Sequence, residues 1–256
     1  MEKITKAQVK LVRSLQQKKY RDESGLFVAE GEKCVEELRK GFELVHLFCE
    51  GENTSRVEIE QMSGLRTPQG VIGVFKKPTA SHQSPITNSE LVLALDGIQD
   101  PGNLGTIIRT CDWFGVHDIF CSQDTADCYN PKVVQATMGA LARVRVHYVN
   151  LPAWLQSQIT NHKSQIKIYG TLLDGKNMYE VSKVVLTDAT SLPNVIIMGN
   201  EGNGISQEVR RFITHTLFIP AYTDEGKYKE TSDVVESLNV SIATAIVLAE
   251  FRRPRG

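Results

Sequence analysis

The stretch Glu236-Ser237-Leu238-Asn239-Val240-Ser241, which continues as IATAIVLAEF over residues 242–251, decides how this chain folds. A short polar segment leads into a helix whose apolar side chains point in every direction. Surface helices are amphipathic, whereas a helix that is apolar all round is buried in a core or against a partner subunit. The sequence therefore predicts a buried helix over 242–251. It also makes the polar segment before that helix a candidate wall of a binding site.

The charge of the chain is balanced overall but uneven locally. There are 29 Lys and Arg residues against 30 Asp and Glu residues, for a net charge of −1. With this balance, the total charge gives no argument for binding nucleic acid. Residues 1–21, however, are rich in Lys and Arg and contain a single acidic residue, Glu2. This segment predicts either a phosphate-binding face or an ordinary solvated helix face.

The cysteines and histidines indicate the compartment and argue against a metal centre. The five cysteines form no Cys-x-x-Cys pair, which is typical of reduced thiols in the cytoplasm. The histidines show no paired metal-ligand spacing, so we expect no metal. The longest apolar run, near 242–249, is shorter than the roughly 20 residues of a membrane span. The sequence therefore predicts a cytoplasmic protein with neither a membrane nor a metal as partner.

Residues 1–78 predict a small α/β domain. Helices are expected over 7–20 and 30–40, the second ended by Gly41 in a left-handed cap. Short strands are expected over 25–29, 44–49 and 71–75. Residues 79–90 are polar, contain a proline and lack periodicity, which is typical of a linker.

A second pattern begins at residue 91. The apolar run 91–95 predicts a strand buried on both faces of a parallel sheet. A loop over 96–103 is followed by a helix over 104–114, which ends at Gly115. Strands that alternate with helices indicate an α/β domain with a mainly parallel sheet. The further strands are predicted at 117–121, 144–148, 166–170, 194–198 and 217–220.

Two polar residues stand out at the helix predicted over 104–114. Its apolar positions follow a spacing of 3.6 residues, which puts Arg109 roughly opposite them and away from the core. Arg109 is therefore either a solvated arginine or a side chain that faces a substrate. Asn103, just before the predicted helix, is expected to be its N-cap.

The loop MGNEGNGIS at 198–206 is a candidate ligand site. Ligands of doubly wound sheets bind at the carboxyl ends of strands, and glycines let a ligand approach the backbone closely. A tight surface turn with one carboxylate, Glu201, is the alternative. The glycines at 97, 102 and 105 do not match the dinucleotide-binding motif GxGxxG. The loop at 170–177 resembles a phosphate loop, but it has Asn177 where that motif requires the hydroxyl of Ser or Thr. Both ordinary nucleotide-binding motifs are thus disfavoured.

Taken in order, four blocks of the chain resemble the SpoU (TrmH) family of RNA ribose 2′-O-methyltransferases in the SPOUT superfamily. They are LALDGIQDPGNLGTIIRTCDWFGV at 93–116, QATMGA at 135–140, VIIMGNEGNGIS at 195–206 and ESLNVSIATAI at 236–246. Residues 1–78 resemble the RNA substrate-binding domain of many members, which is similar to an α/β ribosomal-protein fold. The resemblance thus implies domains at 1–78 and 91–256, with a linker at 79–90.

The resemblance implies an α/β fold with a mainly parallel sheet and a C-terminal trefoil knot, in a homodimer. Knot and dimer would together bury the apolar helix from all sides. The implied methyl donor is S-adenosylmethionine. The residues that match its binding site are Met198, Gly199, Gly204, Ile219, Pro220, Ser237, Leu238 and Asn239.

The resemblance also implies a set of catalytic residues, which are Arg109, Asn103, Glu201, Ser237 and Asn239. A guanidinium keeps its proton at any ordinary pH. We therefore expect Arg109 to stabilise the alkoxide that develops at the ribose and to anchor a phosphate. The other four residues are expected to orient Arg109 and the ribose.

RNA is the expected partner, because DNA lacks the 2′-hydroxyl that accepts the methyl group. Lys18, Lys19 and Arg21 are expected to contact its phosphates, and the N-terminal domain favours ribosomal RNA over transfer RNA. Two alternatives stay open: an RNA-binding or assembly protein that has lost catalysis, and a SPOUT methyltransferase that acts on an RNA base. The charged insert at 221–235 is either a lid or a plain surface loop.

Overall fold

The computed structural model describes residues 4–78, 91–161, 166–180, 194–222, 228–229 and 237–253. The chain divides into two compact units. The first unit comprises residues 1–83, 100–109 and 126–145, and the second comprises residues 84–99, 110–125 and 146–256. The first unit therefore joins the N-terminal residues to two segments from the middle of the chain. The predicted linker at 79–90 lies outside the described residues.

The N-terminal residues form a small antiparallel sheet with helices around it. The strand order is β1-β3-β2. α1 and α4 pack together and bury a shared core against the sheet, which includes Val12, Leu15, Phe48, Ile59 and Ile72. The strands are β1 (Leu26–Glu30), β2 (Leu44–Cys49) and β3 (Val71–Lys76), and the helices are α1 (Lys6–Ser14), α2 (Lys18–Ser24), α3 (Glu32–Leu38) and α4 (Arg56–Met62).

Two local predictions for this part are wrong. The single helix predicted over 7–20 is two helices, α1 and α2, because Arg21 stabilises a break between them. Its Nη1 donates to the carbonyl oxygens of Leu15 at 2.8 Å and Gln16 at 3.0 Å, which satisfies acceptors at the helix end. The cap predicted at Gly41 is absent: α3 ends at Leu38, and Gly41 does not have the positive φ that such a cap requires.

The second sheet has six strands in the order β6-β5-β4-β8-β7-β9. β4 is buried throughout and runs parallel to β5 and β8, and β7 runs parallel to β8 and β9. The predicted α/β fold with a mainly parallel sheet is confirmed, although its last strand lies at 215–217 instead of 217–220. The strands are β4 (Leu91–Asp96), β5 (Asp118–Cys121), β6 (Arg145–Tyr148), β7 (Lys167–Thr171), β8 (Asn194–Gly199) and β9 (His215–Leu217).

The helices of this part include one that begins earlier than predicted. α5 starts at Pro101. The first N–H groups of a helix have no partner within the helix, so a proline, which has no N–H, is favoured at the first position. Asp100 Oδ1 accepts the backbone N–H of Asn103 at 2.8 Å. Asp100 is thus the capping residue, and Asn103 lies in the first turn. The helices are α5 (Pro101–Trp113), α6 (Pro131–Thr137), α7 (Leu151–Asn161), α8 (Gln207–Arg210) and α9 (Val240–Phe251), with a 3₁₀ turn at Ala140–Ala142.

α9 is the apolar helix that the sequence predicts, and one of its sides packs against β8. Val240, Thr244 and Val247 are buried on that side. On the other side, Ile242 is 53% exposed and Ala249 is exposed as well. Burial of the helix is therefore confirmed for one side only.

The insert at 221–235 contains a short antiparallel ribbon formed by β10 (Ala221–Tyr222) and β11 (Tyr228–Lys229). The rest of the insert lies outside the described residues. Within the described part of the chain, no helix has both the length and the apolarity to cross a membrane. His, Cys, Asp and Glu side chains do not gather there in a group of three or more suited to a metal ion.

Candidate active site

The loop after β8 is fastened to the loop after β4 at the carboxyl edge of the parallel sheet. Asn200 donates from Nδ2 to the carbonyl oxygen of Gly97 at 2.7 Å. Its Oδ1 accepts the N–H groups of Gly202 and Asn203 at 2.9 and 3.1 Å. Its backbone exchanges two hydrogen bonds with Gly204. One residue therefore both shapes the loop and ties it to the neighbouring strand.

The end of β4 is held from two directions. Gly97 has a φ of 72°, and its N–H donates to Ser122 Oγ at 2.8 Å, which in turn donates to Asp124 at 2.5 Å. Asp96 is buried, and its Oδ2 accepts the N–H of Ser206 at 2.8 Å. The polar groups at this edge of the sheet are consequently fixed in place.

The backbone at Gly199 leaves no space for a side chain. A Cβ there would collide with the carbonyl carbon of Gly204 and lie 2.5 Å from the nitrogen of Ile205. Met198 is buried, whereas Gly204 is exposed with a φ of 65°. The loop thus folds back tightly on the end of β8 and presents Gly204 on its outer side.

The predicted cofactor residues after β9 and before α9 leave backbone groups available. Ile219 is half-buried, Pro220 is buried and Leu238 is 48% exposed. Among the described residues, none forms a hydrogen bond with the backbone N–H or C=O of Ile219 or Leu238. Free backbone groups together with a half-exposed leucine suit a planar heterocycle that needs both hydrogen bonds and apolar contact.

Asn239 is the N-cap of α9. Its Oδ1 accepts the N–H groups of Ser241 at 3.0 Å and Ile242 at 3.4 Å, and the Ser241 hydroxyl at 2.6 Å. Ser237, Leu238 and Asn239 are all exposed. The segment that the sequence suggests as a site wall therefore lies at the surface of its unit, at the start of an apolar helix.

Arg109 projects from α5 on the side opposite its buried residues. Leu104, Ile107 and Ile108 are fully buried, whereas Arg109 is exposed. The orientation predicted from helical spacing is thus confirmed. No carboxylate in the described parts of the chain forms an ion pair with Arg109. Asn103 is half-buried in the first turn of the same helix.

The predicted catalytic residues fall into two groups. Asn103 and Arg109 belong to the first unit, and Glu201, Ser237 and Asn239 belong to the second. Glu201 is exposed in the turn that follows β8. The second unit also contains every residue that the sequence assigns to the cofactor.

Of the three predicted RNA-binding residues of α2, two are exposed and one is buried. Lys18 and Lys19 are exposed, and each faces a carboxylate one turn later, at 2.6 Å for Asp22 and 3.9 Å for Glu23. Hydrogen bonds from Lys18 and then Lys77 lower the pKa of Asp22 to about 2. Arg21 is only 1% exposed, so it cannot reach a phosphate, and its assignment to the RNA-binding residues is corrected.

Sequence reasoning missed several residues that hold these loops. Asn200 had a local signal, since an asparagine in a Gly-rich stretch often bonds the backbone two residues on. Asp96 ends a buried strand, where a carboxylate needs hydrogen-bond donors. Asp127 binds Arg21, which is 106 residues away in the sequence, and no local pattern indicates such a pair.

Two family models match the chain. Residues 90–249 match the SpoU rRNA Methylase family. Residues 6–60 match the MRM3-like substrate binding domain. The first match includes α5, the loop after β8 and α9, and the second includes α1 and α2.

Known proteins resemble the chain over nearly its full length. The 23S rRNA (guanosine(2553)-2′-O)-methyltransferase RlmP of Bacillus subtilis is 28% identical over an alignment of 268 positions, gaps included, which covers 98% of both chains. The structure of a protein of the TrmH family from Porphyromonas gingivalis shares 36% identity and a TM-score of 0.80, with 98% of both chains covered. An AdoMet-bound rRNA methyltransferase from Sinorhizobium meliloti shares 30% identity and a TM-score of 0.77, with 99% of this chain and 97% of that one covered. The chain therefore belongs to the SpoU rRNA methylase family.

Proposed function

We propose that this protein methylates the 2′-hydroxyl of a ribose in ribosomal RNA in the cytoplasm, with S-adenosylmethionine as the methyl donor. The Bacillus relative is named for 2′-O-methylation of a guanosine in 23S rRNA, and the Sinorhizobium relative was solved with AdoMet bound. The observation that carries the proposal is Arg109. It is an exposed guanidinium on α5, within the matched family segment, and it has no ion-pair partner among the described residues.

The second unit is the proposed binding site of the methyl donor. S-adenosylmethionine supplies a methyl group on a sulfonium sulfur, which keeps the electron pair when the carbon–sulfur bond breaks. The backbone groups of Ile219 and Leu238, which have no hydrogen-bond partner among the described residues, would bind its adenine, and the exposed Leu238 side chain would pack on the ring. The remaining residues of this proposed site are Met198, Gly199, Gly204, Pro220, Ser237 and Asn239.

Arg109 is proposed to stabilise charge at the acceptor oxygen. Negative charge develops on the ribose oxygen as its hydroxyl proton leaves and the new bond to the methyl carbon forms. A guanidinium keeps its own proton, so Arg109 acts as a fixed hydrogen-bond donor and not as a base. Loss of one such donor lowers kcat by roughly 10²–10³-fold in other enzymes.

The other predicted catalytic residues have supporting roles in this proposal. Asn103 lies on the same helix as Arg109 and helps to orient it. Glu201, Ser237 and Asn239 orient the methyl donor and the ribose. Glu201 is exposed in the turn after β8, and Asn239 fixes the start of α9 through its side-chain oxygen.

We further propose a C-terminal trefoil knot and a homodimer, both of which follow from the family resemblance. The uncovered side of α9 supports the dimer, because Ile242 is 53% exposed and Trp113 is 85% exposed. Arg252, just after α9, donates to the carbonyl oxygen of Phe114 at 2.9 Å, so Trp113 lies near the C-terminal end of α9, whereas Ile242 lies in its first turn. Large exposed apolar side chains mark a surface that another protein covers. The proposed occupant is a second copy of the chain.

The proposed RNA-binding face is α1 together with Lys18 and Lys19. Lys6, Lys10 and Arg13 recur at spacings of four and three residues, which puts them on one side of a helix. All three are exposed, and α1 contains no acidic residue. Lys18 and Lys19 have carboxylate partners, whereas the described residues provide none for Lys6, Lys10 and Arg13, so the cations of α1 are better placed to neutralise phosphates.

The decisive experiment combines methyl transfer with mapping of the modified nucleotide. The protein is incubated with labelled S-adenosylmethionine and total RNA from a strain that lacks its gene, and the ribosomal and transfer RNA are then separated and cleaved with alkali. A 2′-O-methyl group blocks alkaline cleavage at its own linkage, so the label should appear in an alkali-resistant dinucleotide. Arg109→Ala should bind S-adenosylmethionine normally in calorimetry, while turnover falls by about 10²–10³-fold.

Other outcomes would select the alternatives. Label in an alkali-sensitive nucleotide would indicate methylation of a base. RNA binding without any methyl transfer, by a protein that does not bind S-adenosylmethionine, would indicate an RNA-binding or assembly protein. Full turnover in Arg109→Ala would remove Arg109 from the catalytic residues. Label in transfer RNA alone would overturn the choice of ribosomal RNA.

A further inference from the structure

Arg21 is a buried arginine that joins three segments of the first unit. It is 1% exposed. Its Nη1 donates to the carbonyl oxygens of Leu15 and Gln16, at the end of α1. Its Nε and Nη2 donate to Oδ2 of Asp127 at 3.1 and 2.7 Å. One guanidinium on α2 therefore fixes the end of α1 against a residue from the middle of the chain.

Asp127 in turn fixes the start of α6. Its Oδ1 accepts the N–H of Tyr129 at 3.0 Å, and its carbonyl oxygen accepts the N–H of Asn130 at 2.9 Å. Asn130 is the N-cap of α6, since its Oδ1 accepts the N–H of Lys132 at 3.0 Å. A displacement of Asp127 would consequently also displace the first turn of α6.

α6 packs so closely against α5 that no side chain fits between the two helices at Gly105. A Cβ at Gly105 of α5 would lie 2.5 Å from the Cβ of Ala136 and 2.8 Å from the carbonyl oxygen of Val133. The two helices are therefore in direct backbone contact. Arg109 lies four residues beyond Gly105, about one helical turn along α5. These contacts form a continuous path from the cations of α1 to Arg109.

Neighbouring contacts make this path part of an extended interface. The ring of Tyr129 packs on Phe27 and Phe42, with centroids 4.9 and 6.3 Å apart. A Cβ at Gly41 would lie 2.5 Å from the carbonyl oxygen of Ala142. The N-terminal residues and residues 126–145 thus pack as closely as a protein core does.

We propose that Arg21 and Asp127 are a positioning pair, which holds the RNA-binding helix α1 in a fixed register with the helix that carries Arg109. This inference rests on the proposed function. Apolar residues of similar volume often replace a buried ion pair without loss of stability, so the role proposed for this pair is in geometry and not in stability. The pair therefore sets where a bound RNA strand lies relative to the guanidinium of Arg109, and it does not itself contact the RNA.

The kinetic test uses the full-length enzyme and the ribosomal RNA that the wild type methylates. Asp127→Asn weakens the pair, and the double variant Arg21→Met with Asp127→Leu replaces it by apolar side chains. Misplacement of reacting groups by about 1 Å lowers a rate by roughly 10²-fold, so kcat should fall by about that factor in both. KM values for RNA and for S-adenosylmethionine should stay near those of the wild type. Arg56→Met removes an exposed, ion-paired arginine of the same domain and should leave kcat unchanged.

The double variant separates positioning from stability. If Asp127→Asn fails to fold because it leaves the guanidinium of Arg21 buried without a counter-charge, the double variant, which removes both charges, should still fold. Recovery of wild-type kcat in the double variant would overturn the proposal, because the pair would then serve packing alone. A change confined to KM for RNA, with kcat intact, would overturn it as well.

A second measurement does not depend on activity. Hydrogen exchange should be faster in the double variant over residues 101–109 and 127–137, and unchanged over β4 and β8. Unchanged exchange at 101–109 would contradict the coupling between the pair and α5. If the wild type methylates no RNA, the proposed function fails, while the exchange result still decides whether Arg21 and Asp127 control α5.

Discussion

The side chain of Asn200 donates to the carbonyl oxygen of Gly97 at 2.7 Å, and this bond joins the loops that follow β8 and β4. Both loops lie at the carboxyl edge of the parallel sheet, where ligands of such folds bind. The shape of the proposed cofactor site therefore depends on an amide that belongs to the predicted loop at 198–206 but not to the predicted site residues.

Asn200→Asp should weaken binding of S-adenosylmethionine. Aspartate keeps the oxygen that accepts the N–H groups of Gly202 and Asn203 but cannot donate to Gly97. An unmade hydrogen bond at a partly buried carbonyl costs about 1–3 kcal/mol, so the dissociation constant measured by calorimetry should rise by roughly tenfold or more. Asn203→Asp, an exposed change in the same loop, is the matched control. Equal affinities in the two variants would show that the bond to Gly97 does not shape the site.

Neutralising the cations of α1 should reduce the salt dependence of RNA binding. Each phosphate contact contributes about 0.7–0.9 to the slope of log K against log salt concentration, so changing Lys6, Lys10 and Arg13 to Gln should lower the slope by about two to three. Filter binding at several salt concentrations measures it. The control replaces three exposed and ion-paired cations, Arg39, Arg56 and Lys76. A larger change in the control would place the RNA elsewhere on the domain.

Gly105→Ala should destabilise the contact between α5 and α6. Its methyl group would lie 2.5 Å from the Cβ of Ala136, and overpacking of this kind costs typically about 1–3 kcal/mol. Urea unfolding measures the loss, and turnover should fall with it because Arg109 lies on the same helix. Gly102→Ala is the control, since its methyl group would meet only the Asp100 side chain, at 3.0 Å. If the two variants are equally stable, the helices are not in the close contact described.

Ile242→Glu should dissociate the proposed dimer. A carboxylate buried in an interface without a partner costs about 3–5 kcal/mol, which corresponds to a dissociation constant raised by roughly 10²–10³-fold. Sedimentation equilibrium measures the change. Val57→Glu introduces the same charge at a 62% exposed position of α4 and should leave the oligomeric state as it is. A wild type that is monomeric at high concentration would refute the dimer itself.

The stability of the second unit should decrease at mildly acidic pH because of His215. Burial, and then the nearby charges of Lys167 and Lys176, lower the pKa of His215 from 6.5. The unfolded chain then binds a proton before the folded protein does, so stability is present above pH 6.5 and is lost as pH falls through the folded-state pKa. His215→Gln should reduce the difference in the free energy of unfolding between pH 7.5 and pH 5. A pH dependence identical to that of the wild type would exclude His215 as its source.

Patterns that are local in sequence predicted the fold well. The apolar run at 91–95 became the central strand β4, and the spacing of Leu104, Ile107 and Ile108 correctly put Arg109 on the opposite side of α5. The end of α5 at Gly115, with its φ of 65°, followed from residue type as well. Such features depend on residues within a few positions of one another.

The errors came from contacts between residues that are far apart in the sequence. Arg21 reads as a surface cation until Asp127, 106 residues later, is placed beside it. Gly41 reads as a helix cap, but it lacks a positive φ, and its small size permits the contact with Ala142. Asn103 reads as an N-cap when residues 96–103 are assigned to a loop, but Asp100 and Pro101 form the stronger helix start. Several local signals compete at each of these positions. The outcome depends on packing between distant parts of the chain, which cannot be read from the sequence.

The positions of Trp113 and Trp154, the two tryptophans of the chain, give the protein two separate optical reporters. The indole of Trp113 is 85% exposed beside the end of α9, whereas that of Trp154 is 8% exposed and stacks on Phe120 with centroids 4.1 Å apart. The fluorescence of Trp113 should shift to shorter wavelength when a second copy covers it. The emission of Trp154 should shift to longer wavelength only when the core of the parallel sheet opens. Assembly and unfolding of the unlabelled enzyme can therefore be followed separately in single-tryptophan variants.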